Sequence, residues 1–380
     1  MLQHPGKTID FDGKKIVFPE IKLIYWAGGN PIGHQPQINA MLQALRRSQS
    51  VIVHEVFWTP TAKFADIVLP VTSSLERNDI ASIGLFSNQG FVAMQKAIEP
   101  LFAARNDFDI FAELAGRLGF REAFTEGCDE MAWIRSFYDT ARRAAVTRKV
   151  QMPDFQTFWH RGLVIFPIGQ AAQSYVTYAE FRKDPGANPL GTPSGRIEIY
   201  STTIEKFRYA DRPPHPTWLT PGEWLGSHEV ARYPLALITP HPKHRLHSQL
   251  DNTPLQQRRW NKLGGRAPIW MHPTDAHARG LAAGDIVRVY NGRGQTLAGL
   301  VITDRIAPGV TRMEEGTWYD PQKGGTLGSL DKEGSPNNIN LDKGTSSLAQ
   351  GPIVNSTQVQ VEKHAGPAPA VTAYSAPTRA

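Results

Sequence analysis

Three segments near the front most narrow what this chain can fold into: a short apolar run, an amphipathic stretch and a second apolar run, in that order. Lys22–Trp26 (KLIYW) is brief, apolar and closed by Ala27–Pro31 (AGGNP), which reads as a buried strand ending in a turn. In Pro36–Arg47 (PQINAMLQALRR), Ile38, Met41, Leu42 and Leu45 lie at offsets of 3, 4 and 7 residues. With proline in the first turn and arginines in the last, the spacing predicts a helix over 36–47. Ser50–His54 (SVIVH) is a second strand, and Asp66–Pro70 (DIVLP) a third after the Thr/Pro-rich segment Trp58–Lys63. Two strands joined through a helix are expected to be parallel, so the chain to about residue 115 reads as an α/β layer.

Residues 116–225 are less regular: a helical stretch at Glu130–Ala144, then Pro- and aromatic-rich sequence through Gly191–Gly195 (GTPSG), with Ile197–Tyr200 (IEIY) expected as a strand leaving that turn. Arg212–Pro216 (RPPHP) through Gly222 reads as a connection between domains, because prolines hold extended backbone and bury little. From Tyr233 the pattern turns to β. Leu235–Ile238, Ile286–Tyr290, Thr296–Ile302 and Gly309–Met313 are closely spaced strands, with Asn291–Gly294 (NGRG) as a hairpin turn, which together suggest a small β-barrel. The Pro/Ala-rich tail from Gly366 is expected to pack loosely.

Composition removes several classes of function. Lys and Arg exceed Asp and Glu by 41 − 35 = 6, spread without a basic block, which favours a phosphate-bearing or acidic ligand no less than nucleic acid. No basic stripe is interleaved with aromatics, so nucleic acid ranks last among partners. No run approaches the roughly 18–20 apolar residues of a membrane span, and Met1–Lys15 has no apolar signal core. The single cysteine, Cys128, rules out an intrachain disulfide and a multi-cysteine metal site. Its acidic neighbours (EGCDE) disfavour the thiolate, so it reads as inert.

Three polar segments could carry chemistry. Gly28–Pro31 (GGNP) closes the first strand before a helix, where small residues let backbone N–H groups approach an anion. Glu55 ends the second strand, 55 − 28 = 27 residues on, where a carboxylate can meet a ribose or a guanine edge, and His34 sits in the same loop as Gly28–Pro31. The spacing is not GxGxxG, and a tight turn with a surface acid accounts for the same residues. The second segment, Thr239–Gln249 (TPHPKHRLHSQ), offers His241, His244, His247, Lys243 and Arg245. No acid or cysteine joins it in sequence, so it suits phosphate and heterocycle hydrogen bonds better than a metal, or else a solvated loop. The third, Asn337–Asn340 (NNIN) with Asp342–Gln350 (DKGTSSLAQ), is rich in amides. No nucleophile is paired with a base, and Ser73 and Ser74 lack a GxSxG elbow.

At these residues the sequence resembles the dimethyl sulfoxide and trimethylamine N-oxide reductase family of molybdenum enzymes, which includes biotin sulfoxide reductase. The stretches that carry the resemblance are Tyr25–Pro31 (YWAGGNP), Trp58–Pro70 (WTPTAKFADIVLP), Glu76–Asp79 (ERND), Met152–Trp159 (MPDFQTFW), Phe181–Pro185 (FRKDP), His241–Gln249, Glu314–Tyr319 (EEGTWY) and Gly344–Gln350 (GTSSLAQ). They span nearly the whole chain in the family's order, and Phe181–Glu198 looks nearest the trimethylamine N-oxide reductases.

The resemblance implies a Rossmann-like parallel α/β layer over 1–115, a mixed connecting region over 116–225, a double-psi β-barrel over 226–365 and a tail over 366–380. It implies a bis(molybdopterin guanine dinucleotide) molybdenum cofactor. Asn30, His34 and Glu55 would contact one guanine dinucleotide, with Trp58, Thr59 and Asp79 also among the cofactor-binding residues. His241, Arg245, Leu246, His247, Ser248, Asn337 and Gln350 would line its pterin and phosphate side. Two departures shift hydrogen-bond positions: Glu55 stands where an aspartate is commoner, and His34–Gln37 (HQPQ) replaces a His-His-Gln-Asp type run. The implied activity is oxygen-atom transfer from a small N-oxide or S-oxide, with an electron donor such as a c-type cytochrome, in the periplasm.

The family's molybdenum-ligating serine and export signal lie in an N-terminal portion this chain does not contain. The expectation is therefore a truncated product or one half of a split enzyme, partnered by the missing N-terminal half, with no catalytic or metal-ligating residue of its own. Trp318 and Tyr319 are expected to be barrel packing. A non-catalytic cofactor-binding module and a nicotinamide-linked dehydrogenase are the alternatives.

Overall fold

The computed structural model describes residues 1–84, 89–258 and 261–377. Its contacts divide the chain into two units, Met1–Val68 with Ile199–Ala380, and Leu69–Glu198. The last three residues of the tail, 378–380, lie outside the described residues.

In the first unit the strands Leu23–Ala27 and Ser50–Glu55 pair in parallel, Leu23 opposite Ser50 and Ala27 opposite His54, as the strand–helix–strand order requires. Ile67–Pro70 follows as the third strand of that sheet. The intervening helix is shorter than its pattern: Ile38–Leu45, because Gln37 takes a left-handed conformation and leaves Pro36 outside. It buries Ile38, Leu42 and Leu45 in a cluster that also contains Ile32 and Tyr319. Trp318 and Tyr319 are both buried, so both are packing residues.

The β-rich part closes on itself. Going round, the strands are Pro268–Met271, Val310–Met313, Leu235–Ile238, Thr357–Lys363, Ile286–Tyr290 and Gln295–Ile302. The last pairs in parallel with the first, Gly299 opposite Pro268, which leaves a closed six-stranded barrel with Leu330–Asp331 added beside Gln295. Alternation sends Leu235, Leu237, Val287, Val289, Val359 and Val361 inward with Ile269, Leu300 and Met313. Gly294, in the turn between two antiparallel strands, has no room for a side chain: a Cβ would stand 2.4 Å from the Asn338 carbonyl oxygen.

Two expectations are corrected here. Ile197–Tyr200 forms no strand. The turn before it closes on itself and on a side chain of this segment: Thr192 Oγ1 donates to the Arg196 carbonyl at 2.6 Å, and the Ser194 N–H donates to the Glu198 carboxylate at 2.8 Å. The tail, expected to be loose, is tied down through residue 374. Thr372 donates through its backbone N–H and its hydroxyl to Asp320, Lys63 Nζ donates to the carbonyls of Thr372 and Ala373, and Ala373 is buried. The Tyr374 hydroxyl lies within hydrogen-bond reach of Asp251 at 2.9 Å and Glu333 at 2.7 Å, so polar anchoring replaces the apolar contacts that the composition lacks.

The second unit holds an antiparallel sheet of Asp79–Ile83, Gly90–Met94 and Leu163–Ile165. Against it pack Phe155–Arg161 and the long helix Glu130–Thr147, which Asp129 caps by accepting from the Ala132 N–H at 2.8 Å. The rings of Tyr138 and Phe158 stack at 4.2 Å in its core.

Candidate functional site

Parallel pairing puts Gly28 and Glu55 at the carboxyl ends of adjacent strands, the edge of an α/β sheet where ligands bind. Gly28 (φ 98°) and Gly29 (φ 91°) are left-handed, and a Cβ on either would meet nothing within 4 Å. The chain therefore crosses the strand ends as bare backbone beside open space.

Asn30 joins three segments. Its buried side chain accepts through Oδ1 from the Thr61 N–H at 3.2 Å and hydroxyl at 2.6 Å, and donates through Nδ2 to Ser248 Oγ at 3.2 Å. The turn after the second strand and the histidine loop of the barrel are thus fixed to the end of the first strand. Gly33 is held in the same contact, since a Cβ there would lie 2.6 Å from Asn30 Nδ2.

Glu55 accepts from the Thr59 hydroxyl at 2.8 Å and the Val56 N–H at 2.9 Å. Burial pushes its carboxyl above the ordinary value, against the pull of those hydrogen bonds. Thr59 also caps the turn Pro60–Lys63 by accepting from the Ala62 N–H, while Trp58 beside it is exposed.

In the barrel loop, Arg245 is turned inward. It donates to the carbonyls of His247 (3.0 Å) and Glu315 (2.7 Å) and to Thr317 Oγ1 (3.2 Å), and lies 3.5 Å from the buried Asp251 carboxylate. These bonds hold His247 in a left-handed conformation (φ 51°) against Gly316, where a Cβ would come within 2.2 Å of the His247 carbonyl oxygen. Ser248 is buried, its carbonyl accepting from the Trp318 indole N–H at 2.7 Å, whereas Leu246 is exposed.

Glu315 is the residue that sequence reading missed. Its Oε1 lies 2.8 Å from His247 Nδ1 and 2.9 Å from His241 Nδ1, and the ring centroids of His34 and His247 are 5.2 Å apart. An acid therefore does join the histidine loop, from a segment 68 residues further on. Burial pushes the His34 imidazole below its ordinary value; Glu315 opposes this and His247 adds to it. Asn337 completes the group by donating to the carbonyls of Gly33 and His34 at 3.1 and 3.0 Å.

Two further expected residues have local partners. Gln350 donates to Ser346 within its own loop, at 2.8 Å. Asp79 is in the second unit, where with Arg77, Asn78, Asn106, Phe108 and Glu130 it borders a cavity of about 340 Å³.

A family model described as "Molybdopterin oxidoreductase" matches residues 3–117, and one described as "Molydopterin dinucleotide binding domain" matches residues 235–358. The "Dimethyl sulfoxide/trimethylamine N-oxide reductase" of Rhodobacter capsulatus is 50% identical over 380 residues, 100% of this chain and 46% of that protein. The "Trimethylamine-N-oxide reductase" of Haemophilus influenzae is 48% identical over 379 residues, 99% and 46% of the two chains. Among solved structures, "Acetylene Hydratase from Pelobacter acetylenicus" superposes with a TM-score of 0.67 at 20% identity, covering 91% of this chain and 45% of that one, a likeness of fold. The chain spans about half the length of the curated relatives it matches.

Proposed function

The chain belongs to the molybdopterin oxidoreductase family, and from that premise we propose that it holds the guanine dinucleotide form of a bis(molybdopterin) molybdenum cofactor in an enzyme that reduces N-oxides or S-oxides. The observation that carries this reading is Asn30, which ties the open glycine backbone at the strand ends to the barrel's histidine loop. The residues fit such a group. Gly28 and Gly29 leave bare backbone with nothing within 4 Å of where a Cβ would stand, and Asn30, Glu55 and the histidine loop supply an amide, a carboxylate and imidazoles as hydrogen-bonding groups.

When bound, the cofactor supplies oxygen-atom transfer, with two electrons and two protons following to release water. The chain's own part is to bind and orient. Glu55 accepts from a guanine N–H or a ribose hydroxyl, with Thr59 fixing its rotamer and Trp58 offering a face. Backbone N–H groups at Gly28–Asn30 approach phosphate oxygens. His34, His241 and His247 donate to phosphate or pterin oxygens, beside Leu246 and Ser248. Arg245 is spent on backbone carbonyls and so contributes by holding the loop's shape. Asn337 steadies His34. Asp79 and Gln350 belong to the same cofactor-binding set on the family reading. On the family reading the electron donor is a c-type cytochrome and the compartment is the periplasm.

The test is to produce the chain in a host that makes the cofactor, then oxidise the purified protein and measure pterin by fluorescence and guanine nucleotide by mass spectrometry. Near-stoichiometric amounts of both are expected, with a loss of roughly tenfold or more in Asn30→Ala, which strands two buried partners. Protein free of pterin from such a host would overturn the reading.

A further inference from the structure

We propose that the segment Pro369–Tyr374 is a strap that positions both halves of the candidate site, the Thr59–Lys63 turn and the histidine loop, with Lys63 and Tyr374 as its positioning residues. The Pro/Ala-rich sequence gives this stretch little apolar surface to bury, so polar contacts set its path. Arg266 donates to the Pro369 carbonyl. Asp320 accepts from the Thr372 N–H at 2.5 Å and hydroxyl at 2.7 Å, and Lys332 Nζ donates to the same hydroxyl oxygen at 2.6 Å. The strap is thus fixed along its length on the barrel loops before it reaches the buried acids.

Its remaining contacts go to the elements that carry the site. On the α/β side, Lys63 Nζ donates to the carbonyls of Thr372 at 3.1 Å and Ala373 at 2.6 Å. Lys63 ends the turn that Thr59 caps; Thr59 also holds Glu55, and Thr61 within the turn holds Asn30. On the barrel side, the Tyr374 hydroxyl lies 2.9 Å from Asp251, the carboxylate beside Arg245, which in turn holds the carbonyls of His247 and Glu315. The ring centroids of Tyr374 and Trp318 are 5.6 Å apart, and the Trp318 indole N–H is donated to the Ser248 carbonyl. Ser248 leads back to Asn30. The contacts therefore close a ring, with Asn30 joining turn and loop at one end and the strap joining them at the other. Two segments held at one point can hinge about it; held at two, they keep one spacing. Groups that touch a ligand keep a productive geometry when supports of this kind fix them.

The inference rests on the cofactor reading above, and amide exchange of the cofactor-free chain separates the two, because it needs no pterin. Exchange is followed by mass spectrometry in the full 380-residue chain, in Tyr374→Phe, which keeps the ring and loses the hydroxyl, and in Lys63→Met. Each variant should speed exchange roughly 5- to 30-fold in both 59–64 and 245–249, with the barrel strand Ile286–Tyr290 unchanged. Lys63→Arg, which keeps the charge and offers N–H donors to both carbonyls, should restore the original rates. Ser375→Ala, at an exposed residue past the strap, should leave them as they were. In protein from the cofactor-making host, Tyr374→Phe and Lys63→Met should also lose guanine nucleotide roughly fivefold faster on dilution. Faster exchange spread evenly over the barrel strands would show general loosening, and faster exchange confined to the segment nearest the altered residue would show two independent contacts. Either overturns the inference, as would unchanged nucleotide retention in both variants. Pterin-free wild-type protein would end the cofactor reading, and the exchange rates alone would then decide whether the strap couples turn to loop.

Discussion

The barrel and the small sheet of Leu69–Glu198 treat their apolar residues in opposite ways. In the barrel, Val287 and Val289 are both 0% exposed, because closure through Pro268–Met271 and Gln295–Ile302 leaves the ring no free edge. In the three-stranded sheet, Leu163 and Ile165 sit on a terminal strand and are 43% and 63% exposed, although Val164 between them packs into the core. One region finishes its own burial, whereas the other leaves apolar side chains in water. The loops between the barrel strands also bury charge: Asp251, Lys262 and Glu333 are all buried, with Lys262 Nζ paired to both acids and the Tyr374 hydroxyl within hydrogen-bond reach of both.

That contrast is most easily broken at Lys262. Lys262→Met leaves the buried Asp251 carboxylate, beside the Glu333 carboxyl, without its cation and should cost about 3–5 kcal/mol, read as a shift in the urea midpoint. A loss below about 1 kcal/mol would mean that water already reaches the cluster. Next in size is Leu300→Ala in the barrel core, expected at about 2–5 kcal/mol from lost burial and the cavity left behind.

The third prediction concerns pH. Burial pushes the Glu333 carboxyl up to about 8, with Lys262 pulling it down and Asp251 pushing it further up. Burial also pushes Asp251 up, but Lys262 and Arg245 more than offset it, so Asp251 lies below its ordinary value and is the charged partner. Between about 4.5 and 8 the folded chain holds a proton on Glu333 that the unfolded chain has released. The stability it confers is complete below the unfolded value and is lost as pH rises through about 8. Thermal midpoints should therefore fall between pH 5 and pH 9, and Glu333→Gln, which mimics the protonated acid, should flatten that fall. An unchanged slope in the variant would place the proton elsewhere. Tyr374→Phe removes the two hydrogen bonds of the tail and should cost about 1–2 kcal/mol, with earlier proteolysis of the last residues.

These differences were only partly legible in the sequence. Periods of 2 and 3.6 are local signals, so Ile286–Tyr290, Ser50–Glu55 and the helix at Ile38–Leu45 could be read directly. Thr357–Lys363 (TQVQVEK) carries the same alternation and closes two sides of the barrel, so its signal was present and unread. Pro268–Met271 (PIWM) has no such alternation and becomes a strand through pairing on both sides. The site was legible as residue types and silent as geometry. Asn30 meets Thr61 and Ser248 across 31 and 218 residues, and Glu315 meets His247 across 68, separations at which no spacing rule operates. The tail's composition, likewise, could not reveal that Tyr374 reaches a buried pair of acids.

The smallest effect is the sharpest test of the contrast. Ile165→Ser removes an apolar side chain that folding leaves mostly in water, so its transfer free energy is largely the same in folded and unfolded chains. The Leu163–Ile165 strand would keep its backbone bonds to Gly90–Met94, where a Cβ on Gly90 would come within 2.0 Å of the Val164 carbonyl oxygen and where strand contact, not the Ile165 side chain, sets the register. The expected change in unfolding free energy is within about 0.5 kcal/mol, against several for Leu300→Ala, and solubility at high concentration should rise as exposed apolar area falls. A loss above about 1.5 kcal/mol from Ile165→Ser would show that this side chain is covered in solution, and the open sheet would then share the barrel's economy of burial.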